Sequence, residues 1–324
     1  MLKIGILGAG HLGKIHIKCL QMTEGLYDLV GFYDSDAENA ARVSEEFGLH
    51  CFSSADALIE AVTAVDIVTP TVTHFALAKA AIKRGKHVFI EKPLTRTPAE
   101  AKELLRLQNE YGVKIQVGHV ERFNPALLSV NDMHLNPMFI EAHRLATFNP
   151  RGTDVSVVLD LMIHDLDIVL SLVDSEVREV RASGVSIVSK SADIANARLE
   201  FANGCTANIT ASRLSLKQMR KVRFFQEDAY ISLDFLEKQA QIVRLFDAAT
   251  ADPAKRDESV ILPTAKGDKV LDITMPDIEP VNAIKSELEN FAHSILNNTN
   301  PEVPAEDGYK ALELAYRIMQ QIDN

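Results

Sequence analysis

Gly8, Gly10 and Gly13 set a G-x-G-x-x-G spacing directly behind the apolar run Leu2 to Leu7. Between a strand and a helix, that spacing suits a dinucleotide. The first glycine permits a tight turn, the second lets the backbone approach a pyrophosphate, and the third lets the helix pack close to the strand. The helix that follows offers unpaired N–H groups and the positive end of its dipole to the phosphates. His11 and Leu12 lie inside this loop and belong with it. Asp34 closes the apolar run Leu29 to Tyr33, about 20 residues further on, where a carboxylate accepts hydrogen bonds from an adenosine ribose. A carboxylate there repels a 2′-phosphate, and no arginine immediately follows it, so NAD is expected over NADP. A second constellation is Asp160, His164 and Asp167, at i, i+4 and i+7 of a helix predicted from Val157 to Val173, hence on one face. A carboxylate one turn from a histidine can orient the ring and support its charged form. Asp165, off that face, is expected to meet solvent or an interface. Histidine with aspartate is also a metal vocabulary, but the ten histidines contain no H-E-x-x-H and the three cysteines have no ligand spacing. No catalytic metal is expected.

The elements that must position these residues change character along the chain. Up to Gly118, short apolar runs alternate with helical segments: Ala37 to Phe47, Ala55 to Val62, His74 to Lys83 and Pro98 to Tyr111 read as helices, and Val65 to Val68, His87 to Ile90 and Lys114 to Gly118 as strands. Uninterrupted apolar strands between helices predict a parallel sheet covered on both faces. Beyond about residue 120, Phe139 to Phe148, Arg178 to Ile187, Ala195 to Ala211, Val222 to Phe225, Ala229 to Asp234 and Gln239 to Phe246 read as strands. Asn203-Gly204 is a hairpin turn signal. Residues 248–280 read as a long excursion with some strand, followed by helices over Val281 to Asn297 and Ala305 to Ile322. The expected fold class is α/β: an N-terminal Rossmann doubly wound parallel sheet (1–120) plus a C-terminal α+β domain (121–324) with an open, mostly antiparallel sheet.

Composition narrows the function. The 324 residues are 47% hydrophobic and 24% charged, a globular balance. A net charge of −11 gives no general attraction to nucleic acid or anionic membrane, and neither is expected as a partner. No apolar run approaches the roughly 20 residues that span a bilayer, and Met1-Leu2-Lys3-Ile4-Gly5 has no leader pattern. Cys19, Cys51 and Cys205 are scattered, which argues for a reducing, cytoplasmic location.

Thr69-Pro70-Thr71 with His74, Glu91-Lys92-Pro93 after the fourth strand, Gly118-His119, Asp160-x-x-x-His164-x-x-Asp167 and Val303-Pro304-Ala305-Glu306-Asp307-Gly308 join the glycine motif in one end-to-end pattern. This pattern resembles the Gfo/Idh/MocA family of NAD(P)-dependent oxidoreductases. The resemblance implies that Lys92 handles the proton of a sugar hydroxyl whose hydride goes to nicotinamide, a task for a lysine with a lowered pKa. It further implies that His164 is its acid/base partner and that Asp160 binds and orients the hydroxyl. Thr69, Pro70, Thr71, His74 and Glu91 join the cofactor set. The segments around Arg122, Asn124, Arg144, Asn149-Pro150-Arg151 and Lys217-x-x-Arg220 look most like the branch that oxidises nucleotide sugars at a ring hydroxyl, UDP-N-acetylglucosamine among them. Guanidinium groups beside the site suit a diphosphate, so Arg122, Asn124, Arg151, Lys217 and Arg220 are the candidates for substrate, with Asp167. Relatives in this branch often carry a tryptophan near Arg213; this chain has none, so indole stacking on a sugar is unavailable. The resemblance also implies a homodimer or homotetramer formed through the open sheet. A dehydrogenase of free sugars or inositol is the alternative substrate reading. A non-catalytic dinucleotide-binding regulator is the alternative of another class, disfavoured by the intact Lys92, Asp160 and His164.

Overall fold

The computed structural model describes residues 1–149, 155–248, 260–265 and 267–323. Two compact units emerge, Met1–Phe123 with Val281–Leu314, and Asn124–Pro280 with Ala315–Asn324.

In the first unit the expected alternation is present as β1 (Leu2–Leu7), α1 (His11–Gln21), β2 (Tyr27–Tyr33), α2 (Ala37–Phe47), α3 (Ala55–Ala61), β3 (Ala64–Ile67), α4 (Thr71–Ile82), β4 (His87–Glu91), α5 (Pro98–Tyr111) and β5 (Ile115–Gly118). The five strands are parallel, in the order β2-β1-β3-β4-β5. The order reverses beside β1, and the crevice at the carboxyl ends of the strands there is where such sheets take ligands. Helix α1 starts at His11, with Gly10 as its N-cap and Gly13 already in its first turn. Local chemistry fixes the other starts: Asp36 accepts from Glu38 N and Asn39 N, and Thr97 with Glu100 forms a capping box. Helices α1 and α4 have no side-chain cap, so their first N–H groups stay available at the ligand end of the sheet.

The second unit holds α6 (Pro125–Leu128), β6 (Phe139–Leu145), a π-helical turn (Val158–Met162), α7 (Ile163–Leu172) and β7 (Val177–Val185). It continues with β8 (Ile194–Phe201), β9 (Thr206–Ser212), β10 (Met219–Phe225), β11 (Ala229–Asp234), β12 (Gln239–Asp247), β13 (Val260–Leu262) and β14 (Lys269–Thr274). The nine strands run β13-β14-β12-β11-β10-β6-β9-β8-β7, antiparallel throughout except for β6 against β9. Alternate residues are buried, as in Ile140 and Ala142, Ala207 and Ile209, or Ile231 and Leu233, so one face is core and the other open. The hairpin at Asn203-Gly204 is present, with Gly204 at φ +90°. The strand expected within 248–280 is β13 and β14, which extend the sheet at one edge.

The division expected at 120/121 falls at 123/124, and the second stretch is not continuous. Helices α8 (Ala283–Leu296) and α9 (Ala305–Asp323) follow the sheet, and Val281–Leu314 packs with the first unit. The reason is apolar: Leu288, Phe291 and Ala292 of α8 join Ile17, Leu20 and Phe89 in one core, with Phe291 edge-on to Phe89 at 5.9 Å.

Candidate active site

The glycine loop has the geometry its spacing requires. Gly8 sits at φ +93°, and a Cβ there would lie 2.8 Å from Val68 O. A Cβ on Gly13 would lie 2.1 Å from Gly8 O, so α1 rests directly on the loop. A Cβ on Gly10 would meet nothing within 4 Å. Gly10, His11 and Leu12 are exposed, leaving an open backbone cradle that fits a pyrophosphate. Asp34 is stitched to this cradle. Its Oδ2 accepts from Ala9 N at 2.8 Å and from Asn39 Nδ2 at 3.0 Å, and its Oδ1 accepts from Asp36 N. Asn39, absent from the sequence reading, holds the Asp34 carboxylate in place from the first turn of α2.

Thr69-Pro70-Thr71 follows β3 and leads into α4, and Glu91-Lys92-Pro93 ends β4 with a cis Lys92–Pro93 peptide. His74 joins the two turns: its Nε2 is 2.9 Å from Thr69 O and its Nδ1 3.0 Å from Pro93 O. It is 1% exposed, and burial holds its pKa below the usual value against the pull of those carbonyls. His74, expected at the cofactor, is buried between the two loops with a backbone carbonyl oxygen beside each ring nitrogen.

Behind Lys92 lies a cluster that sequence reasoning missed. His16 Nδ1 is 2.9 Å from Asp66 Oδ2, and His16 Nε2 is 3.2 Å from Glu91 Oε1. Burial alone would lower the pKa of His16, but Asp66 and Glu91 overcome it and hold the ring charged. Burial raises the pKa of Asp66, opposed by His16, and raises that of Glu287 well above the carboxylate range, with Glu91's charge adding to the rise. One signal was legible: Asp66 stands in the wholly buried strand Ala64–Ile67, and an acid there must have a partner. His119 is also buried, and neither ring nitrogen has a hydrogen-bond partner among the described residues. Burial, then the charges of Lys92 and Arg122, push its pKa down to about 3, so a neutral imidazole lies near the lysine.

Arg122, expected at a substrate phosphate, is 9% exposed and ion-paired with Asp307 Oδ2 at 3.1 Å, with Glu302 O at 3.3 Å. It ties the 3₁₀ turn Val120–Phe123 to the segment entering α9. Asn124 caps α6 through Ala126 N and donates to Phe235 O, a structural pair of contacts within the second unit.

In the second unit Asp160 lies in the π turn, while His164 and Asp167 lie on α7. The widened turn interrupts the uniform i, i+4, i+7 spacing expected of one α-helix, a feature frequent at functional sites. Asp160 and His164 are half-buried, and Asp167 is buried. Asp165 does not face solvent: it is 1% exposed and takes Arg144 Nε and Nη2 at 2.9 Å each. Arg144 points inward with Ile140 and Ala142 on β6, so α7 buries a charge on the face it turns to the sheet. Lys217 and Arg220 are exposed, on the loop after β9 and on β10. Arg213 is buried, with its guanidinium on Val155 O. Arg151 lies outside the described residues.

A Rossmann sheet whose strand ends carry an open glycine cradle, an acid at the second strand and a lysine turn at the fourth defines an NAD-dependent oxidoreductase. The comparisons agree. Residues 2–119 match the oxidoreductase family model with NAD-binding Rossmann fold, and residues 134–232 match the Gfo/Idh/MocA C-terminal domain. UDP-N-acetylglucosamine 3-dehydrogenase of Acidithiobacillus ferrooxidans is 38% identical over 91% of this chain and 88% of its own. The solved structure of that protein superposes with a TM-score of 0.89, at 35% identity, covering 99% of this chain and 97% of the other. Myo-inositol 2-dehydrogenase of Thermotoga maritima is 25% identical over 99% of this chain and 96% of its own. The chain belongs to the Gfo/Idh/MocA oxidoreductase family and is a dehydrogenase.

Proposed function

We propose that the chain oxidises a ring hydroxyl of a nucleotide sugar of the UDP-N-acetylglucosamine kind, giving a 3-keto sugar. The single observation that carries the chemistry is Lys92, set at the end of β4 in a turn clasped by His74 and Glu91. When bound at Gly8–Gly13 and Asp34, NAD supplies the hydride acceptor. The residues of this chain manage the rest. Lys92 takes the hydroxyl proton, Asp160 orients the hydroxyl, and His164 exchanges the proton onward, with Asp167 behind it. Lys217 and Arg220, exposed cations on an acidic protein, are proposed for the diphosphate, together with Arg151. The likeness to the UDP-N-acetylglucosamine 3-dehydrogenase supports that substrate class.

We also infer a cytoplasmic homodimer or homotetramer. Among the described residues no helix is long and apolar enough to cross a membrane. Exposed Val260, Ile261 and Ile273 on the β13–β14 edge support self-association. Light scattering after size exclusion tests that state.

The test of function is NADH formation across UDP-sugars, free sugars and inositols. UDP-N-acetylglucosamine should be turned over, and Lys92→Ala should lower turnover by roughly 10²–10⁴ while NAD still binds. Arg220→Ala should raise KM for the UDP-sugar. Turnover confined to inositol or free sugars would replace the substrate assignment, and full activity of Lys92→Ala would remove the lysine's role.

A further inference from the structure

We propose that His16, Asp66 and Glu287 act with Glu91 as a buried positioning device for the turn that carries Lys92. In giving Lys92 the reacting role, this rests on the proposed function above.

Glu91 is the hinge of the arrangement. Its Oε2 accepts from the backbone N–H of Lys92 at 3.1 Å, and its Oε1 faces His16 Nε2 at 3.2 Å. One carboxylate thus spans the interior and the peptide of the reactive residue. His16 on α1 is held from behind by Asp66 on β3 at 2.9 Å. His16 Nδ1 is hydrogen-bonded to Asp66 and Nε2 faces the Glu91 carboxylate as an ion pair, so the ring is held between two acids. Glu287 on α8 closes the cluster. It is fully buried, its oxygens have no hydrogen-bond partner among the described residues, and one stands within 4.8 Å of both His16 and Glu91. Its helix is tied to β5 by Gln116 Nε2 donating to Glu287 O at 2.8 Å.

The neighbouring strand makes room for the carboxylate. Gly118 is paired with Glu91 across the sheet, and a Cβ on Gly118 would lie 2.7 Å from Glu91 Oε1. Stability alone is a poor reason for such a cluster, since buried ions are commonly replaced by apolar residues at no loss. A device that fixes one peptide at the end of β4 is a better one. Charge-assisted hydrogen bonds are directional, and misplacing a reacting group by about 1 Å costs on the order of a hundredfold in rate.

The test measures His16→Leu, Glu91→Gln, their double variant and Lys92→Ala beside the wild type. The readouts are turnover of UDP-N-acetylglucosamine, NAD Kd by fluorescence, and Tm. Glu91→Gln keeps the volume of the side chain and removes the negative charge that faces His16, so it serves should His16→Leu fail to fold. Both single variants should lower kcat by about tenfold to a hundredfold. NAD Kd and sugar KM should stay within about threefold. The double variant should be no worse than the poorer single, because the two act through one contact. Wild-type kcat in folded Glu91→Gln would overturn the proposal. So would losses that multiply in the double variant, or one divalent cation per chain by elemental analysis, since His16, Glu91 and Glu287 are also cation ligands. Inactive Lys92→Ala with fully active Glu91→Gln would sink the positioning device alone. Fully active Lys92→Ala would sink the lysine's role itself.

Discussion

Gly10 and Gly13 belong to one hexapeptide, yet alanine should act at each for a different physical reason. At Gly13 the new Cβ would lie 2.1 Å from Gly8 O, where ordinary van der Waals contact begins at 3.4 Å. The obstacle is backbone, so no rotamer change relieves it. Helix α1 must withdraw by about 1 Å, and overpacking of this kind costs about 1–3 kcal/mol. The same displacement carries the first N–H groups of α1 away from the phosphates. At 1.4 kcal/mol per tenfold, a similar loss in binding would weaken NAD by about ten- to hundredfold. At Gly10 a Cβ meets nothing within 4 Å, so the fold should not respond. The methyl group instead occupies the space through which the pyrophosphate approaches the backbone, and NAD affinity should fall by about tenfold or more. The assay is paired: Tm without ligand, and NAD titration by fluorescence or calorimetry. Gly13→Ala should lower both, Gly10→Ala only the second. Wild-type NAD affinity in Gly10→Ala would refute the cradle, and an unchanged Tm in Gly13→Ala would refute the close packing of α1 on the loop.

Asp34→Ala removes the acceptor for Ala9 N, Asp36 N and Asn39 Nδ2. It should raise the KM for NAD and shift the NAD-to-NADP preference toward NADP; an unchanged ratio would refute the role assigned to the carboxylate. Asp165→Ala leaves the Arg144 guanidinium buried beside α7 without its bidentate acid, a loss of about 3–5 kcal/mol. Urea unfolding measures it, and a loss below about 1 kcal/mol would contradict the burial of that pair. His119 gives a pH dependence of definite sign. Its folded pKa of about 3 lies below the usual 6.5, so the unfolded chain binds the proton first. The stability this group contributes is present above pH 6.5 and is lost as pH falls toward 3, by up to about 1.4 kcal/mol per pH unit. His119→Gln should flatten the decline between pH 6 and 4 in urea titrations. A variant with the wild-type slope would show that His119 is not the group responsible.

Much of this protein is local in origin. The G-x-G-x-x-G turn, the strand–helix alternation that follows it and the caps at Asp36 and Thr97 arise from residues a few positions apart, and near-neighbour chemistry writes them directly into the chain. The hairpin at Asn203-Gly204 and the acid at Asp34 are legible for the same reason. Other features depend on partners far away in sequence. His16, Asp66, Glu91 and Glu287 meet because four elements converge on the ends of the parallel strands, and no spacing rule brings residue 287 to residue 16. Of the two settings expected for Asp165 it takes the interface and not solvent, because α7 is buried nearly all round and Arg144 waits on β6. Arg122 has the same lesson: a guanidinium is equally suited to a phosphate and to Asp307, and only the return of Val281–Leu314 to the first unit decides which it meets. The sequence by itself determined the chemistry available, because residue types and short spacings set what a turn can bind. The tertiary structure decided which charges are spent inside the protein and which are left for ligands, because burial and long-range pairing exist only once the chain has folded.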